Sequence, residues 1–398
     1  MIAGAALLAL PALYAAVMVW LRGGWDALLN EELRMRNEEL GTSENSSFLI
    51  LNSSLSNTPR SSLIFSVLIA ARNEAESLPQ LLRDLAAQTL PAGCFEVLIA
   101  DDHSTDATAA LVAAAAREAG FALRLIALPD AQTGKKAALQ AALQAARSPW
   151  LVCTDADCRL GPGWLAAYAG LIAEHSSANF ISGPVLLTGP DSWFMSLMGL
   201  EFAGLVGVGG ACLTRQQPTM CNGANLAYRR AAFDAVGGYL DNNHLASGDD
   251  EFLLHKIHAA FPGTAHFLAD AAAIARTAAP PTLQALLRQR VRWASKWRHY
   301  QSGPSRYLAL LVLAANVALA AGAGATLLWP VLWPCVLAGW AIKLGADAWF
   351  LGPVLGFLGR REWRWGLLPL QVLYAPYALA VGLAGLRGGY EWKGRAVQ

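Results

Sequence analysis

The chain has 398 residues and a net charge of +1, with 55% hydrophobic and only 15% charged residues. The near-neutral balance excludes a nucleic-acid binder, which needs a positive surplus to neutralise phosphates. The apolar surplus is too large for an ordinary soluble domain. Cys94, Cys153, Cys158, Cys212, Cys221 and Cys335 form no CxxC pair and no zinc spacing, so they read as reduced, mostly buried thiols in a cytosolic main domain.

Ile2–Leu21 is almost unbroken apolar sequence, close to the ~20 residues that a membrane helix needs. No basic residue precedes it and Arg22 follows it. The positive-inside tendency therefore places the N-terminus outside and the main domain in the cytoplasm. Residues 1–22 are expected to be a transmembrane helix. Residues 23–62 are expected to be a linker that opens with a short polar helix and runs into a Ser-, Asn- and Thr-rich stretch over 41–62.

From Leu63 short apolar runs alternate with helical patterns. Phe65–Ala70, Phe95–Ala100, Ala122–Leu128 and Trp150–Thr154 read as strands, with helices between them. Continuously apolar strands predict a mostly parallel α/β sheet with helices on both faces. Ligands of such sheets sit outside the carboxyl ends of the strands. Asp101–Asp102 and Asp155–Asp157 both fall there.

Residues 63–300 are expected to form one catalytic domain closed by an amphipathic helix, Leu283–Tyr300, at the membrane surface. Residues 301–398 carry three further candidate spans, Tyr307–Leu328, Val331–Leu351 and Gly366–Leu386. Lys343 and Asp347 in the middle span are four apart, so they either pair or line a polar path.

Four polar clusters lie between the hydrophobic ends: VLIADDHSTD, VCTDADCRL, ASGDDEFLL and QRVRW. Asp155 and Asp157, two apart after a strand, can share a hard divalent cation such as Mg²⁺ or Mn²⁺, and that cation can hold a diphosphate. Arg72 and Glu74 close the first strand and are placed to contact a base or ribose. Asp102 is placed to accept hydrogen bonds from the same part of a nucleotide, whereas Asp106 reads as a helix cap. Lys135 starts a helix, where a phosphate is favoured by the helix dipole. Asp250, in the acidic cluster before an apolar helix, suits a base that takes a proton from an attacking hydroxyl, with Asp249 beside it. Gln289, Arg292 and Trp293 share one helix face. Arg292 can meet a diphosphate in a bidentate manner, and Trp293 offers a flat face to a sugar.

Together these residues resemble the membrane-bound synthases among family-2 inverting glycosyltransferases, which include cellulose, hyaluronan, chitin and ceramide-glucose synthases. The resemblance covers about residues 63–300 and implies a nucleotide-sugar-binding GT-A fold. It implies donor and metal contacts at Asp102, Asp155 and Asp157, a base at Asp250, and a QxxRW motif at Gln289, Arg292 and Trp293, with Asp249, Gln289 and Trp293 toward the acceptor. Lys135 matches the family's GK…AL lysine, and Gln140 stands where Asn is usual. CNGANLAYRR (221–230) and VGGY (236–239) look like a loop and helix under the acceptor site. His103 replaces a small residue, and GDD replaces TED.

The activity so implied is sugar transfer from a nucleotide, expected to be uridine-linked, to a membrane lipid or a glycan in the cell (inner) membrane. A processive polysaccharide synthase, with an accessory membrane subunit completing its channel, is the alternative within the family. A non-catalytic transport subunit is the alternative outside it, and it leaves the acidic clusters unexplained.

Overall fold

The computed structural model describes residues 2–41, 63–240, 248–295, 302–387, 390–392 and 395–397. The expected linker over 42–62 and the end of the expected surface helix, 296–300, lie outside the described residues. In chain order the elements that place the site are α1 (Ile2–Gly41), β1 (Phe65–Ala71), α2 (Leu78–Ala86), β2 (Phe95–Asp101), α3 (Thr108–Glu118), β3 (Ala122–Ala127), α4 (Lys135–Ala145) and β4 (Trp150–Cys153). They continue with α5 (Trp164–Glu174), β5 (Phe180–Ser182), β6 (Val185–Thr188), α6 (Trp193–Thr214), β7 (Leu226–Arg229), α7 (Arg230–Ala235), α8 (Asp249–Ala260), β8 (Ala265–Phe267) and β9 (Ala275–Ala278). The helices α9 (Leu283–Ala294), α10 (Gly303–Ala325), α11 (Trp333–Phe357) and α12 (Leu367–Arg387) follow, and a hairpin of β10 (Tyr390–Trp392) and β11 (Arg395–Val397) ends the chain.

Seven strands form one sheet in the order β3-β2-β1-β4-β7-β5-β8. β3, β2, β1 and β4 are mutually parallel, while β7 runs antiparallel to both β4 and β5. Alternation within each strand feeds two cores. Phe65, Val67 and Ile69 of β1 pack on one face with Phe95, Val97 and Ile99 of β2, while Leu68 and Leu98 pack on the other. Both faces are dry, which is why these strands read as continuous apolar runs. The chain steps outward from β1 to β3, then returns to place β4 on the other side of β1. The carboxyl ends of β1 and β4 therefore flank the point where the winding reverses, the usual ligand crevice of such sheets.

Two features depart from the sequence-based expectations. α1 is one continuous 40-residue helix, so the polar stretch after Arg22 is its second half and residues 23–41 are not a linker. Trp25 explains this. It is fully buried, edge-on to Phe267 and Phe357 with ring centroids 5.9 and 5.6 Å away, and this contact docks the helix on the catalytic domain.

The second feature is α6. Among the described residues, five helices are long and apolar enough to cross a membrane: Leu7–Arg34, Trp193–Thr214, Gly303–Ala325, Pro330–Phe357 and Arg361–Gly385. Four match the expected spans. The fifth, α6, lies inside the catalytic stretch, and much of its surface is covered by protein, with Met198, Leu200, Phe202, Ala211 and Leu213 all buried. A helix apolar on every side is either buried or in lipid. The sequence alone does not separate the two.

Candidate active site

A cavity of about 960 Å³ opens at the carboxyl end of the sheet and runs on between the C-terminal helices. Arg72 and Glu74 reach it from the loop after β1, Asp155 and Asp157 from the turn after β4, and Lys135 from the start of α4. Asp249 and Asp250 reach it from the first turn of α8, and Gln289, Arg292 and Trp293 from α9. Ten of the eleven candidate residues thus line one space, although they are drawn from five separate stretches of chain.

Asp102 is the exception. It is 1% exposed and does not line the cavity. Its Oδ2 accepts a hydrogen bond from Gly134 N at 3.0 Å, its Oδ1 lies 4.0 Å from Arg72 Nη1, and Arg72 Nη1 also donates to its carbonyl oxygen at 2.6 Å. Asp102 therefore fixes the start of α4 and the Arg72 side chain from behind. The loops around it are clamped: Asn73 N donates to Ser104 Oγ at 2.9 Å, and Thr105 N donates to Asn73 Oδ1 at 2.8 Å. His103 sits in this clamp at φ +54°, an unusual conformation for a non-glycine residue, with Nε2 2.9 Å from Gln132 O. Asp106 binds Thr108 N at 3.0 Å, the helix-start role expected of it.

Gly134, at φ +97°, turns the chain so that Lys135 opens α4 and donates its Nζ to Asp155 Oδ1. Burial alone would lower the Lys135 pKa. Asp155, Asp249 and Asp250 outweigh that and raise it above the usual lysine value, so it is a fixed cation. Burial instead lowers Lys136, next in the chain. Asp249 is pushed up first by burial and then by Asp250 beside it, with Lys135 and Lys136 pulling the other way.

Asp250 is held by the CNGANLAYRR segment. Asn225 is fully buried and fully used: its Nδ2 donates to Pro184 O at 2.7 Å and Ala273 O at 2.8 Å, and its Oδ1 accepts from Trp164 Nε1 and Tyr168 Oη, both at 2.8 Å. This anchors the loop whose Gly223 N donates to Asp250 Oδ2 at 2.7 Å. A Cβ on Gly223 would stand 3.2 Å from that oxygen, so glycine lets the backbone approach the carboxylate. The VGGY segment contributes a buried tyrosine. Tyr239 is buried against Phe233, with its hydroxyl 3.2 Å from that of Tyr228, away from the cavity.

The sequence reading missed what holds the Gln/Arg/Trp face. Arg290, one residue inside QxxRW, is 4% exposed and ion-pairs with Glu201 of α6. Its Nη1 donates to Gln289 Oε1 at 2.5 Å, and its guanidinium lies 4.3 Å from the centre of the Trp293 ring. Tyr377 Oη of α12 donates to Glu201 Oε1 at 3.2 Å. One buried cation therefore orients Gln289 and Trp293 and ties α9 to α6. The available signal was Glu201 itself, the only charged residue among the 22 of α6, which called for a buried partner.

Residues 66–237 match the model of glycosyl transferase family 2. The chain carries a family-2 glycosyltransferase domain. Over 100 residues it is 37% identical to the undecaprenyl-phosphate 4-deoxy-4-formamido-L-arabinose transferase of Pseudomonas aeruginosa, which covers 25% of this chain and 29% of that protein. Over 207 residues it is 27% identical to the beta-monoglucosyldiacylglycerol synthase of Nostoc sp., covering 48% of this chain and 41% of that one. The chain thus spans less than half the length of the curated relatives it matches. A mannosyltransferase from Pyrobaculum calidifontis, solved with GDP-Man and Mn²⁺, superposes with a TM-score of 0.53 at 20% identity, covering 92% of this chain and 99% of that one. That likeness places the glycosyltransferase domain in the GT-A fold.

Proposed function

We propose that the protein transfers a sugar from a nucleoside-diphosphate donor to a membrane lipid, with inversion at the anomeric carbon. The observation that carries this reading is the single cavity. It joins the Asp155/Asp157 turn, the Asp249–Asp250 pair and the Gln289/Arg292/Trp293 face, then continues among helices long and apolar enough for a bilayer. The two curated relatives are named for lipid-linked acceptors, which supports a lipid over a free glycan.

In this mechanism Asp250 takes the proton from the acceptor oxygen as that oxygen forms its bond to the anomeric carbon. The bond from that carbon to the nucleotide's phosphate oxygen breaks on the opposite side. The departing diphosphate carries its electron pair toward Lys135 and Arg292, whose positive charges suit an anion. The Gly223 N–H holds Asp250 in one rotamer, leaving its orientation pre-set before the acceptor arrives.

Asp155 and Asp157 are hard-oxygen donors lining the cavity, though among the described residues no group of three or more His, Cys, Asp or Glu side chains gathers that could hold a metal, here or elsewhere. Two carboxylates suit Mg²⁺ or Mn²⁺, which commonly takes its remaining ligands from water and substrate phosphates. Such an ion would supply charge neutralisation for the diphosphate. The domain is read as facing the cytoplasm, with α1 entering from outside. A reporter fused after Gly303 should read cytoplasmic, and an external signal there would reverse the orientation.

The test is product identity. Purified protein in lipid vesicles, given a panel of labelled nucleotide sugars and Mg²⁺ or Mn²⁺, should place label in the solvent-extractable lipid and lose that activity in chelator. A long water-soluble chain as product would replace the lipid reading with a polymer synthase. Full activity in excess chelator would remove the metal.

A further inference from the structure

The inner arm of the cavity points to a second binding site, and we propose that it holds the hydrocarbon tail of the acceptor lipid, entering sideways between α10 and α12. This deepens the lipid-acceptor reading and rests on it. The arm is walled by Leu308, Val312 and Leu313 of α10 and by Tyr374, Ala378 and Gly382 of α12. Leu310 and Leu383 also border it, yet they are 55% and 62% exposed on the outer surface of the same two helices. Residues that touch both the cavity and the outside mark where it opens. Both helices are long and apolar enough to lie in a bilayer, so the opening faces hydrocarbon.

The chemistry of the wall selects a tail over a sugar chain. The arm also meets five buried polar side chains: Asn316, whose Nδ2 donates to Val312 O at 2.7 Å, and four that spend their bonds on one another. Tyr14 Oη donates to Asp347 Oδ1 at 2.5 Å, and Lys343 Nζ donates to Asp347 Oδ2 at 2.8 Å and to Gln371 Oε1 at 3.0 Å. Gln371 Nε2 closes the ring on Asp347 Oδ2 at 2.5 Å. One lysine balances one aspartate, and the remaining face of the ammonium lies 4.9 Å from the Tyr14 ring centre. A sugar chain passing here would lose its water bonds to a mostly apolar wall whose polar side chains are largely bonded to the protein, at several kcal/mol per group. A hydrocarbon loses nothing. Continuity with the Asp250 end then lets one molecule keep its tail in the arm and its reacting oxygen at the carboxylate.

Gly382 supplies the test. Gly382 lines the arm and a Cβ built there meets nothing within 4 Å, so Gly382→Phe starts in open space and serves as the plug. Gly345 in α11 has equally open surroundings but does not line the cavity, so Gly345→Phe is the control. The readout is photolabelling without donor, using two probes on the purified full chain: a polyprenyl monophosphate and a diacylglycerol, each with a diazirine in the tail. The expected result is label on Leu308–Leu313 and Ala378–Leu383 from at least one probe. Gly382→Phe should reduce it about tenfold, the scale of losing ~1.4 kcal/mol of contact, while Gly345→Phe leaves it unchanged. Label from the first probe alone identifies a single-chain lipid, and from the second alone a two-chain one. Water-driven donor hydrolysis by Gly382→Phe reports its fold; if that variant loses hydrolysis, Ala378→Leu replaces it as the plug. Equal labelling of the plug and the control, or label spread evenly over the outer faces of all the spans, overturns the site. Because no donor is present, correct labelling alongside absent sugar transfer would sink the glycosyl-transfer reading and leave the tail site standing.

Discussion

The two ends of the cavity are built in opposite ways. The β1–β4 end is local: each functional side chain follows directly on a strand or opens the next helix, and backbone contacts such as Gly134 N to Asp102 hold it. The α8–α9 end is assembled from distant chain. Its aspartate is held by a loop some 27 positions earlier, and its Gln/Arg/Trp face by a glutamate 89 positions away. The first construction tolerates change in the membrane helices. The second makes acceptor handling depend on how the domain and its spans are packed together.

Asp250→Asn should make the largest difference. It keeps the shape but removes the base, so turnover should fall by roughly 10²–10⁴ with donor affinity retained, read by steady-state kinetics and nucleotide binding. Near-normal turnover would move the base to Asp249 or Glu251.

The ion pair comes next. Arg290→Ala strands Glu201 in a largely buried setting, a change that typically costs ~3–5 kcal/mol. Thermal unfolding should show the loss, and at permissive temperature the acceptor KM should rise while the donor KM holds. A rise in donor KM instead would erase the division between the two ends. Lys135→Met is the converse: donor affinity should fall by about 10- to 100-fold, the ~1.4–3 kcal/mol of a charge-assisted contact, with acceptor KM steady.

The smallest effect should come from Asp249→Asn, and its sign is informative. The folded-state pKa of Asp249 is raised, so the unfolded chain gives up this proton more easily. Its contribution to stability is therefore lost as pH rises from the unfolded value, about 3.9, through the folded one. The asparagine variant should melt higher than the parent near pH 7, and the gap should close toward pH 4. A lower melting temperature at pH 7 would show that Asp249 is stabilised as a carboxylate.

Much of the β1–β4 end was legible in the sequence. Apolar runs two faces deep could only be parallel strands, and aspartates placed directly after them had to lie at the ligand edge. Asp102 shows the limit of that rule, because position after a strand does not say which way a side chain turns, and here it turns inward to Gly134 and Arg72. The α8–α9 end was legible as motifs but not as a mechanism of support. Arg290 occupies a variable slot in QxxRW, and its partner sits in a helix whose uniform apolarity gave no face. The length of α1 was hidden for a related reason: the polar composition after Arg22 outweighed the single buried Trp25 that carries the helix onward.

That first helix has a consequence for reach. At 1.5 Å per residue its 40 residues extend about 60 Å, twice the hydrocarbon thickness of a typical bilayer. Its middle is pressed so closely on α6 that a Cβ at Gly24 would stand 2.7 Å from the carbonyl oxygen of Ala211. The helix is therefore packed against the domain like a strut, and on the proposed reading it would set the height of the sheet above the lipid. An enzyme on a slack tether could stoop to headgroups of any size. On the proposed lipid-acceptor reading, a fixed height would gauge the acceptor by the distance between its hydrocarbon anchor and its reactive oxygen as well as by its chemistry.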